Sequence, residues 1–254
     1  MDLGLRGRRA LVLGSSSGLG RAVAAGLVAE GARVAVVSRD LARAEGARAE
    51  IGAELALDAD LTVEGQAAGL VDRSVEAFGG LDVVIVNTGG GTPGPLLDTE
   101  GADDAAYRSM LRPVLEVARA AAPHVVEDDG RLIFLTARSV VEATPELALS
   151  SVFRSGVNAA ARSLAVELAP RATSNVVVTG QFATGALERF EASLVAREGR
   201  SADEVRREHE RSNPMGRLGT PEEFADVVVF LASARSSFVN GASIRIDGGA
   251  VKGF

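Results

Sequence analysis

The sequence predicts an α/β fold in which a doubly wound, seven-stranded parallel sheet carries helices on both faces. Short runs of Val, Ile and Leu alternate with longer segments in which Ala, Leu and Val recur at helical spacing. The strand runs are continuously apolar, which is typical of a parallel sheet buried on both faces. The 254 residues contain no internal repeat and no long linker, so residues 1–254 are expected to form one domain.

Each predicted element follows from its local pattern of apolar residues. The predicted strands are Arg9–Leu13, Arg33–Val37, Glu54–Leu57, Asp82–Val86, Arg131–Leu135, Asn175–Val178 and Ser243–Ile246. The helices predicted between them are Leu19–Glu30, Leu41–Glu50, Val63–Phe78, Thr99–Val126 and Ser150–Leu168. A further helix is expected to begin at Thr220, because Thr-Pro-Glu-Glu combines an N-cap, a first-turn proline and a Glu three residues after the cap.

Residues 185–217 interrupt the alternation of strands and helices. The segment begins amphipathic, and ten of the fifteen residues from Arg197 to Arg211 are charged. This pattern predicts a helical insertion, which is either a solvated surface element or a mobile lid over a cleft.

The composition excludes several classes of function. The absence of Cys excludes disulfides and thiolate metal sites and is expected of a cytoplasmic protein. A net charge of −7 argues against nucleic-acid binding, no apolar run is long enough for a membrane span, and no cluster of metal ligands stands out. Tyr107 is the single tyrosine and Lys252 the single lysine, so a mechanism that needs a neighbouring Tyr and Lys is excluded.

A glycine-rich loop lies between the first predicted strand and the first helix. It reads Gly14-Ser15-Ser16-Ser17-Gly18-Leu19-Gly20. Glycines at such a turn let the backbone approach a pyrophosphate, whose charge is stabilised by the helix N-terminus. In this position the loop predicts dinucleotide binding, and the alternative is a purely structural turn.

The end of the second strand bears on which dinucleotide binds. An acidic residue there holds the ribose hydroxyl of NAD, whereas an arginine suits the 2′-phosphate of NADP. The strand ends at Ser38 and Arg39, with Asp40 one place later. The sequence therefore favours NADP(H) over NAD(H). The alternative is that Arg39 is an ordinary surface arginine and Asp40 only caps the next helix.

Along nearly its whole length the sequence resembles the short-chain dehydrogenase/reductase family, whose fold is Rossmann-type. The branch that it resembles most is the NADP(H)-using set similar to 3-oxoacyl-[acyl carrier protein] reductases. The matching motifs are the Gly14/Gly18/Gly20 loop, Asp60-Leu61-Thr62, Asn87-Thr88-Gly89, Asn175 to Gly180 with Thr184 (Thr179 replaces the usual proline), Arg217 to Glu223 and Asp247-Gly248-Gly249.

The resemblance implies roles for residues outside the glycine loop. Asp60 would meet the adenine, Asn87 and Gly89 would line the adenosine and ribose side, and Thr184 would contact the nicotinamide. Leu61 and Gly180, in the same motifs, would also bind the cofactor. It also implies a small carbonyl or acyl-thioester substrate and a homo-oligomer, either a tetramer or a dimer.

The positions that carry catalysis in the family depart from its pattern. Aligned by resemblance, Ser150 stands where the family has Tyr, and Arg154 stands where it has Lys. Ala137 occupies the position of the assisting Ser, and Met110 that of the helix Asn. Near Ala137, the hydroxyl of either Ser139 or Thr136 could still hydrogen-bond a ligand.

These residues change the chemistry that the cleft can perform. A serine hydroxyl is a far weaker acid than a phenol, so Ser150 is a poor general acid near neutral pH. Arg154 keeps a positive charge and the ability to donate to a ribose. One hypothesis is therefore an NADP(H)-dependent oxidoreductase with proton delivery altered through Arg154, Ser150 or water. The other is a non-catalytic NAD(P)-binding protein, acting as a sensor or an assembly partner.

Overall fold

The computed structural model describes residues 2–127, 129–144 and 146–252. Seven parallel strands form one sheet, as the sequence predicts, and their order is β3-β2-β1-β4-β5-β6-β7. All seven predicted strands are present, with ends that shift by up to three residues. The strands are β1 Arg9–Val12, β2 Arg33–Ser38, β3 Leu55–Asp58, β4 Val83–Val86, β5 Gly130–Ala137, β6 Ala172–Thr179 and β7 Ser243–Ile246.

Helices cover both faces of this sheet. They are α1 Gly18–Ala29, α2 Leu41–Ile51, α3 Gln66–Phe78, α4 Asp103–Met110, α5 Arg112–Val125, α6 Ala148–Glu167, α7 Gly185–Glu198, α8 Ala202–Ser212 and α9 Pro221–Ala232. Neighbouring strand residues pack into opposite layers. Leu11 belongs to the layer beneath α3, α5 and α6, while Val12 belongs to the layer beneath α1 and α9. Among the described helices, none is long and apolar enough to cross a membrane.

The helix predicted over residues 99–126 is wrong as a single element, because it consists of α4 and α5 with a break at Leu111. Pro113 lies in the first turn of α5. A proline has no N–H to donate to the carbonyl four residues earlier, and its ring crowds that turn. The break therefore ends α4 at Met110, whose side chain points into a small apolar cluster with Ala106 and Leu149.

The outer strand β7 is attached by side chains as well as by its pairing with β6. The Asn175 side chain donates to the Val239 carbonyl oxygen at 2.7 Å and accepts from the Ala242 N–H at 3.0 Å. Asn240 accepts from the Ser174 N–H at 2.9 Å. These bonds fix the segment that leads into β7.

The segment predicted as a helical insertion forms α7 and α8. Thr184 caps α7, and Ser201 caps α8 in a reciprocal bond with Glu204. The two helices are joined by the buried Glu191 carboxylate. It accepts from Arg206 at 2.7 Å and lies 2.9 Å from Nδ1 of His209. The insertion is thus one helical hairpin held together by charge.

Candidate functional site

The glycine loop occupies the carboxyl end of β1, beside β4, where the order of the strands reverses. Open α/β sheets bind ligands in the crevice at this point. Gly14 has φ +60° and Gly18 φ +57°, a conformation that favours glycine. A Cβ on Gly20 would lie 2.3 Å from the Gly14 carbonyl oxygen, so no side chain fits there. The loop therefore presents bare backbone to the crevice.

The loop and the N-terminus of α1 fit a dinucleotide pyrophosphate. Ser17 is the N-cap residue of α1, but its side chain makes no capping hydrogen bond, and the first turn contains no acidic residue. The first N–H groups of a helix have no partner within the helix, and their partial positive charge attracts anions. The partly exposed Ser16 and the exposed Ser17 stand at the same turn. An anion can be held here without displacing a protein contact.

Ser15 contributes to the shape of this loop. It is fully buried, and its hydroxyl donates to the Val12 carbonyl oxygen at 2.6 Å and accepts from the Val37 N–H at 2.8 Å. The Ser15 N–H donates to the Val37 carbonyl oxygen at 3.0 Å. Both polar groups are used inside the protein, so Ser15 fastens β1 to β2.

Asn87 fixes the loop from the neighbouring strand. Its side-chain amide donates to the Gly14 carbonyl oxygen at 3.2 Å. A Cβ on either Gly14 or Gly20 would come within about 3 Å of the Asn87 side chain. Asn87 therefore fills the space that the glycines leave open and holds the turn in place.

The end of β2 carries an exposed arginine beside a capped helix. Arg39 faces solvent, and the Asp40 side chain accepts from the N–H groups of Ala42 and Arg43, which makes it the N-cap of α2. The hydroxyl of the half-buried Ser38 accepts from the Asp40 N–H at 3.3 Å. The acidic residue is thus engaged by α2, while Arg39 is exposed to solvent.

Asp60 lies at the end of β3 and is ionised at neutral pH. Hydrogen bonds from the hydroxyl and N–H of Thr62, at 2.7 and 2.9 Å, hold the pKa of its carboxyl below the usual value. The charge of Arg39 acts in the same direction. Leu61 is half-buried beside it. The structure therefore brings Arg39 and Asp60 to the same end of the crevice.

The loop after β6 closes the other side of the crevice. Gly180 lies so close to the end of β7 that a Cβ on Gly180 would be 2.5 Å from Cα of Asp247. Thr184 follows, and a Cβ on Gly18 would lie 3.7 Å from its methyl group. Segments after β1 and β6, far apart in the chain, therefore meet across the crevice.

Arg154, on α6, links the loop after β4 to strand β5. Its Nη2 donates to the Gly89 carbonyl oxygen at 2.9 Å, and its Nη1 donates to the Leu135 carbonyl oxygen at 3.2 Å. Within the described residues no carboxylate bonds to it. Burial lowers the pKa of Arg154 to about 10, so the guanidinium still carries its charge at neutral pH. The result is a positive charge held in place by backbone carbonyls.

Ser150 lies one helical turn before Arg154 on α6 and meets a second serine. Ser139 follows β5 in a single 3₁₀ turn, Arg138–Val140, and is 4% exposed. Its hydroxyl donates to the Ser150 hydroxyl oxygen at 3.3 Å. The sequence indicated Ser139 as a possible ligand contact, but its bond to Ser150 depends on the 3₁₀ turn and could not be predicted from spacing.

The two remaining positions are apolar. Ala137 ends β5 without a polar side chain, and Met110 is fully buried. A Cβ on Gly91 would lie 2.8 Å from the Met110 methyl group, so the methionine fills the space beneath the loop after β4. Neither residue can donate or hold a proton here.

Comparison with known proteins agrees with this architecture. The sequence model described as enoyl-(acyl carrier protein) reductase matches residues 14–251. A short chain dehydrogenase/reductase of Aspergillus aculeatus is 33% identical over 255 residues, which cover 97% of this chain and 96% of that protein. An uncharacterized oxidoreductase of Mycobacterium tuberculosis is 32% identical over 252 residues, which cover 94% and 90%.

The fold also matches the crystal structure of L-sorbose reductase from Gluconobacter frateurii complexed with NADPH and L-sorbose. The TM-score is 0.93 with 24% sequence identity, and 100% of each chain is covered. That identity supports the fold alone. On the family model and the two relatives, the chain belongs to the short-chain dehydrogenase/reductase family of NAD(P)-dependent oxidoreductases.

Proposed function

We propose that this protein interconverts a carbonyl and an alcohol with NADP(H), and that its substrate is a ketone or a 3-oxoacyl thioester. The observation that carries the proposal is the convergence of four groups at one edge of the sheet. They are the glycine loop, Thr184, the charged Arg154 and the Ser139–Ser150 hydroxyl pair. A nucleotide site and an oxygen-binding site would thereby be combined in one crevice.

The cofactor would lie along the crevice from β3 to β6. The N–H groups of Gly18, Leu19 and Gly20 would hold the pyrophosphate, with Ser16 and Ser17 beside them. Asp60 and Leu61 would bound the adenine, and Gly89 would line the adenosine and ribose side. Arg154, Gly180 and Thr184 would bound the nicotinamide ribose and ring. Ser15 and Asn87 would act indirectly, because their polar groups already hold the loop.

The preference for NADP(H) rests on Arg39. It is exposed beside the half-buried Ser38, and the nearby Asp40 is occupied in capping α2. A guanidinium forms strong, charge-assisted bonds to a phosphate. The site therefore offers the 2′-phosphate a cation and keeps the acidic side chain away from it.

Reduction would proceed by stabilising charge on the substrate oxygen. Bound NADPH supplies a hydride to the carbonyl carbon. Ser150 would donate a hydrogen bond to the carbonyl oxygen, and the positive charge of Arg154 would lower the energy of the oxyanion that forms there. Water would deliver the proton that completes the alcohol, since neither Ser150 nor Arg154 gives up a proton readily at neutral pH.

The α7–α8 hairpin would act as the lid of this crevice. It begins at Thr184. At its other end the Ser212 hydroxyl donates to the His209 carbonyl oxygen at 2.8 Å and lies 3.3 Å from the Gln181 side-chain oxygen. Both ends of the hairpin therefore lie near the proposed nicotinamide position. Assembly as a dimer or tetramer and a cytoplasmic location stay predictions.

A non-catalytic NAD(P)-binding protein is the second candidate. The apolar Ala137 and Met110 favour it, because a methyl group and a buried thioether cannot pass a proton. The same nucleotide site would serve a sensor or an assembly partner.

The deciding experiment measures NADPH and NADH oxidation by the purified chain with activated ketones and acetoacetyl thioester. Gly18→Asp is the control, because Asp tolerates a positive φ and places negative charge against the pyrophosphate. NADPH oxidation that Gly18→Asp abolishes supports the enzyme. Tight NADPH binding with no oxidation of either cofactor would favour the non-catalytic protein.

A further inference from the structure

We propose that Ser139 is a positioning residue for Ser150, and that the two serines form a hydroxyl relay aimed at the oxygen of the substrate. The inference rests on the proposed function, because it assigns the oxygen-binding part of the same crevice. The ligand class is a ketone or alcohol oxygen, and the relay supplies a hydrogen bond without transferring a proton.

The hydrogen-bond inventory of the two hydroxyls defines the direction of the relay. A serine hydroxyl has one O–H and two lone pairs. The two hydroxyl oxygens lie 3.3 Å apart. Within the described residues the Ser139 hydroxyl has no other acceptor, and it is shielded from water at 4% exposure, so we assign its O–H to the Ser150 oxygen. Ser150 therefore accepts a bond from inside the protein and keeps its own O–H for another acceptor.

Two of the three other serines of α6 bond back to their own helix. The Ser151 hydroxyl donates to the Leu147 carbonyl oxygen at 3.2 Å, and the Ser155 hydroxyl donates to the Ser151 carbonyl oxygen at 2.6 Å. Such bonds to the preceding turn are the ordinary outcome for a helical serine. Within the part of the chain that the structure describes, Ser150 makes no such bond, so its O–H is not consumed by the helix.

Burial gives the relay its strength. Ser139 is 4% exposed and Ser150 is half-buried, so Ser139 is shielded from water while Ser150 remains accessible to a ligand. A hydroxyl that accepts a hydrogen bond becomes a better donor, by about 10–30% per bond. Arg154, one turn further along α6, adds a positive charge that attracts the same substrate oxygen.

The test measures the kinetics and stability of three single variants, Ser139→Ala, Ser139→Thr and Ser150→Ala. It adds the double variant that combines Ser139→Ala with Ser150→Ala. Ser151→Ala is the matched control. We expect Ser139→Ala to lower kcat for an activated ketone about 2- to 10-fold, the cost of one net hydrogen bond. KM for NADPH should stay within error of the wild type, and the Tm should fall by no more than about 2–4 °C, because one buried hydrogen bond is removed. Ser139→Thr should restore kcat, and the double variant should be no slower than Ser150→Ala alone.

Three results would overturn the relay. The first is an unchanged kcat in Ser139→Ala. The second is a double variant in which the kcat losses of the two single variants multiply. The third is a Ser139→Thr protein that folds and binds NADPH but has a kcat as low as that of Ser139→Ala. None of these touches the proposed function, because the wild type would still turn over.

A second measurement tests the relay in case the wild-type protein binds NADPH but reduces no substrate. Ethyl acetoacetate is titrated into the protein–NADP⁺ complex by calorimetry. Binding that weakens in both Ser139→Ala and Ser150→Ala, but not in Ser151→Ala, supports the relay even though the proposed activity fails. Equal binding by Ser139→Ala and the wild type overturns the relay, and no binding by the wild type overturns both proposals.

Discussion

The guanidinium of Arg154 donates a hydrogen bond to the carbonyl oxygen of Gly89 at 2.9 Å. Together with its bond to the Leu135 carbonyl oxygen, this contact ties α6 to the ends of β4 and β5. Arg154 therefore has a structural role, holding the loop after β4 against α6, in addition to any contact with a ligand. Its two roles can be separated experimentally.

Arg154→Met should loosen the loop after β4. Hydrogen bonds that involve a charged group contribute about 1.5–3 kcal/mol each, and this variant removes two of them. We expect faster amide hydrogen exchange in residues 88–91, measured by mass spectrometry, and a smaller change in Arg154→Lys. Arg162→Met, an exposed arginine on the same helix, is the control. Exchange as slow as in the wild type would contradict the structural role.

Arg39→Ala should weaken NADPH binding about 10- to 100-fold, because one charge-assisted phosphate contact contributes about 1.5–3 kcal/mol. NADH lacks the 2′-phosphate, so its affinity should change little. Isothermal titration calorimetry measures both affinities, and Arg48→Ala, in the last turn of the adjoining helix α2, is the matched control. An equal loss for the two cofactors would refute the assignment of Arg39 to the phosphate.

The triple variant Ala137→Ser, Ser150→Tyr, Arg154→Lys should install or increase NADPH-dependent ketone reduction. It places a hydroxyl, a phenol and an ammonium at the family's spacing. General acid catalysis contributes roughly 10²–10⁴-fold, and the gain should fall short of this range because Met110 remains. Ser150→Tyr alone should gain less, since it lacks the ammonium. Steady-state kinetics with acetoacetyl thioester measures the effect.

A triple variant that folds and binds NADPH but reduces no ketone or thioester would count against a reductase cleft. The non-catalytic protein would then be the preferred interpretation. Tm and NADPH affinity, measured on the same samples, separate this result from a simple loss of folding.

Glu191 should make the stability of the α7–α8 hairpin depend on acid. Burial raises the pKa of its carboxyl, but hydrogen bonds from Arg206 and His209 outweigh this effect and leave the pKa lowered. A lowered folded pKa contributes stability above the unfolded value of about 4.3, and this contribution is lost as the pH falls through the folded pKa. Glu191→Gln should therefore have a lower Tm than the wild type at pH 7.

The gap in Tm between the wild type and Glu191→Gln should shrink as the pH is lowered from about 5 to 3, below the unfolded value. Thermal melts followed by circular dichroism give the comparison. Glu64→Gln, an exposed carboxylate away from the hairpin, is the control. A gap that stays constant with pH would show that the Glu191 charge does not stabilise the hairpin.

The sequence predicted the sheet well because its strands are continuous apolar runs, a pattern set by burial on both faces. The break at Leu111 was not predicted. Apolar residues recur at helical spacing on both sides of Pro113, so the pattern alone does not reveal the break. The start of α8 carried a recognisable signal in Ser201 and Glu204, a capping box. Because that signal lies among many charged residues, the segment was predicted only as a helical insertion, without the bounds of α8.

Within the candidate site, the glycine loop was predictable because its residues are contiguous and their conformation is local. The contacts of Arg154 were not, because Gly89 and Leu135 come from separate strand ends. Ser139 meets Ser150 only because the 3₁₀ turn after β5 redirects the chain. Spacing along a sequence cannot specify such a turn.

The attachment of β7 by Asn175 and Asn240 has a consequence for the synthesis of the chain. β6 is complete before residues 180–242 and β7 have been made, an interval of several seconds at about 5–20 residues per second. During that interval the outer edge of β6 has no partner strand, and the Asn175 side chain lacks the Val239 and Ala242 groups that satisfy it. An unpaired strand edge is a template for pairing with another chain. The nascent protein is therefore open to self-association through the edge of β6 until β7 emerges from the ribosome.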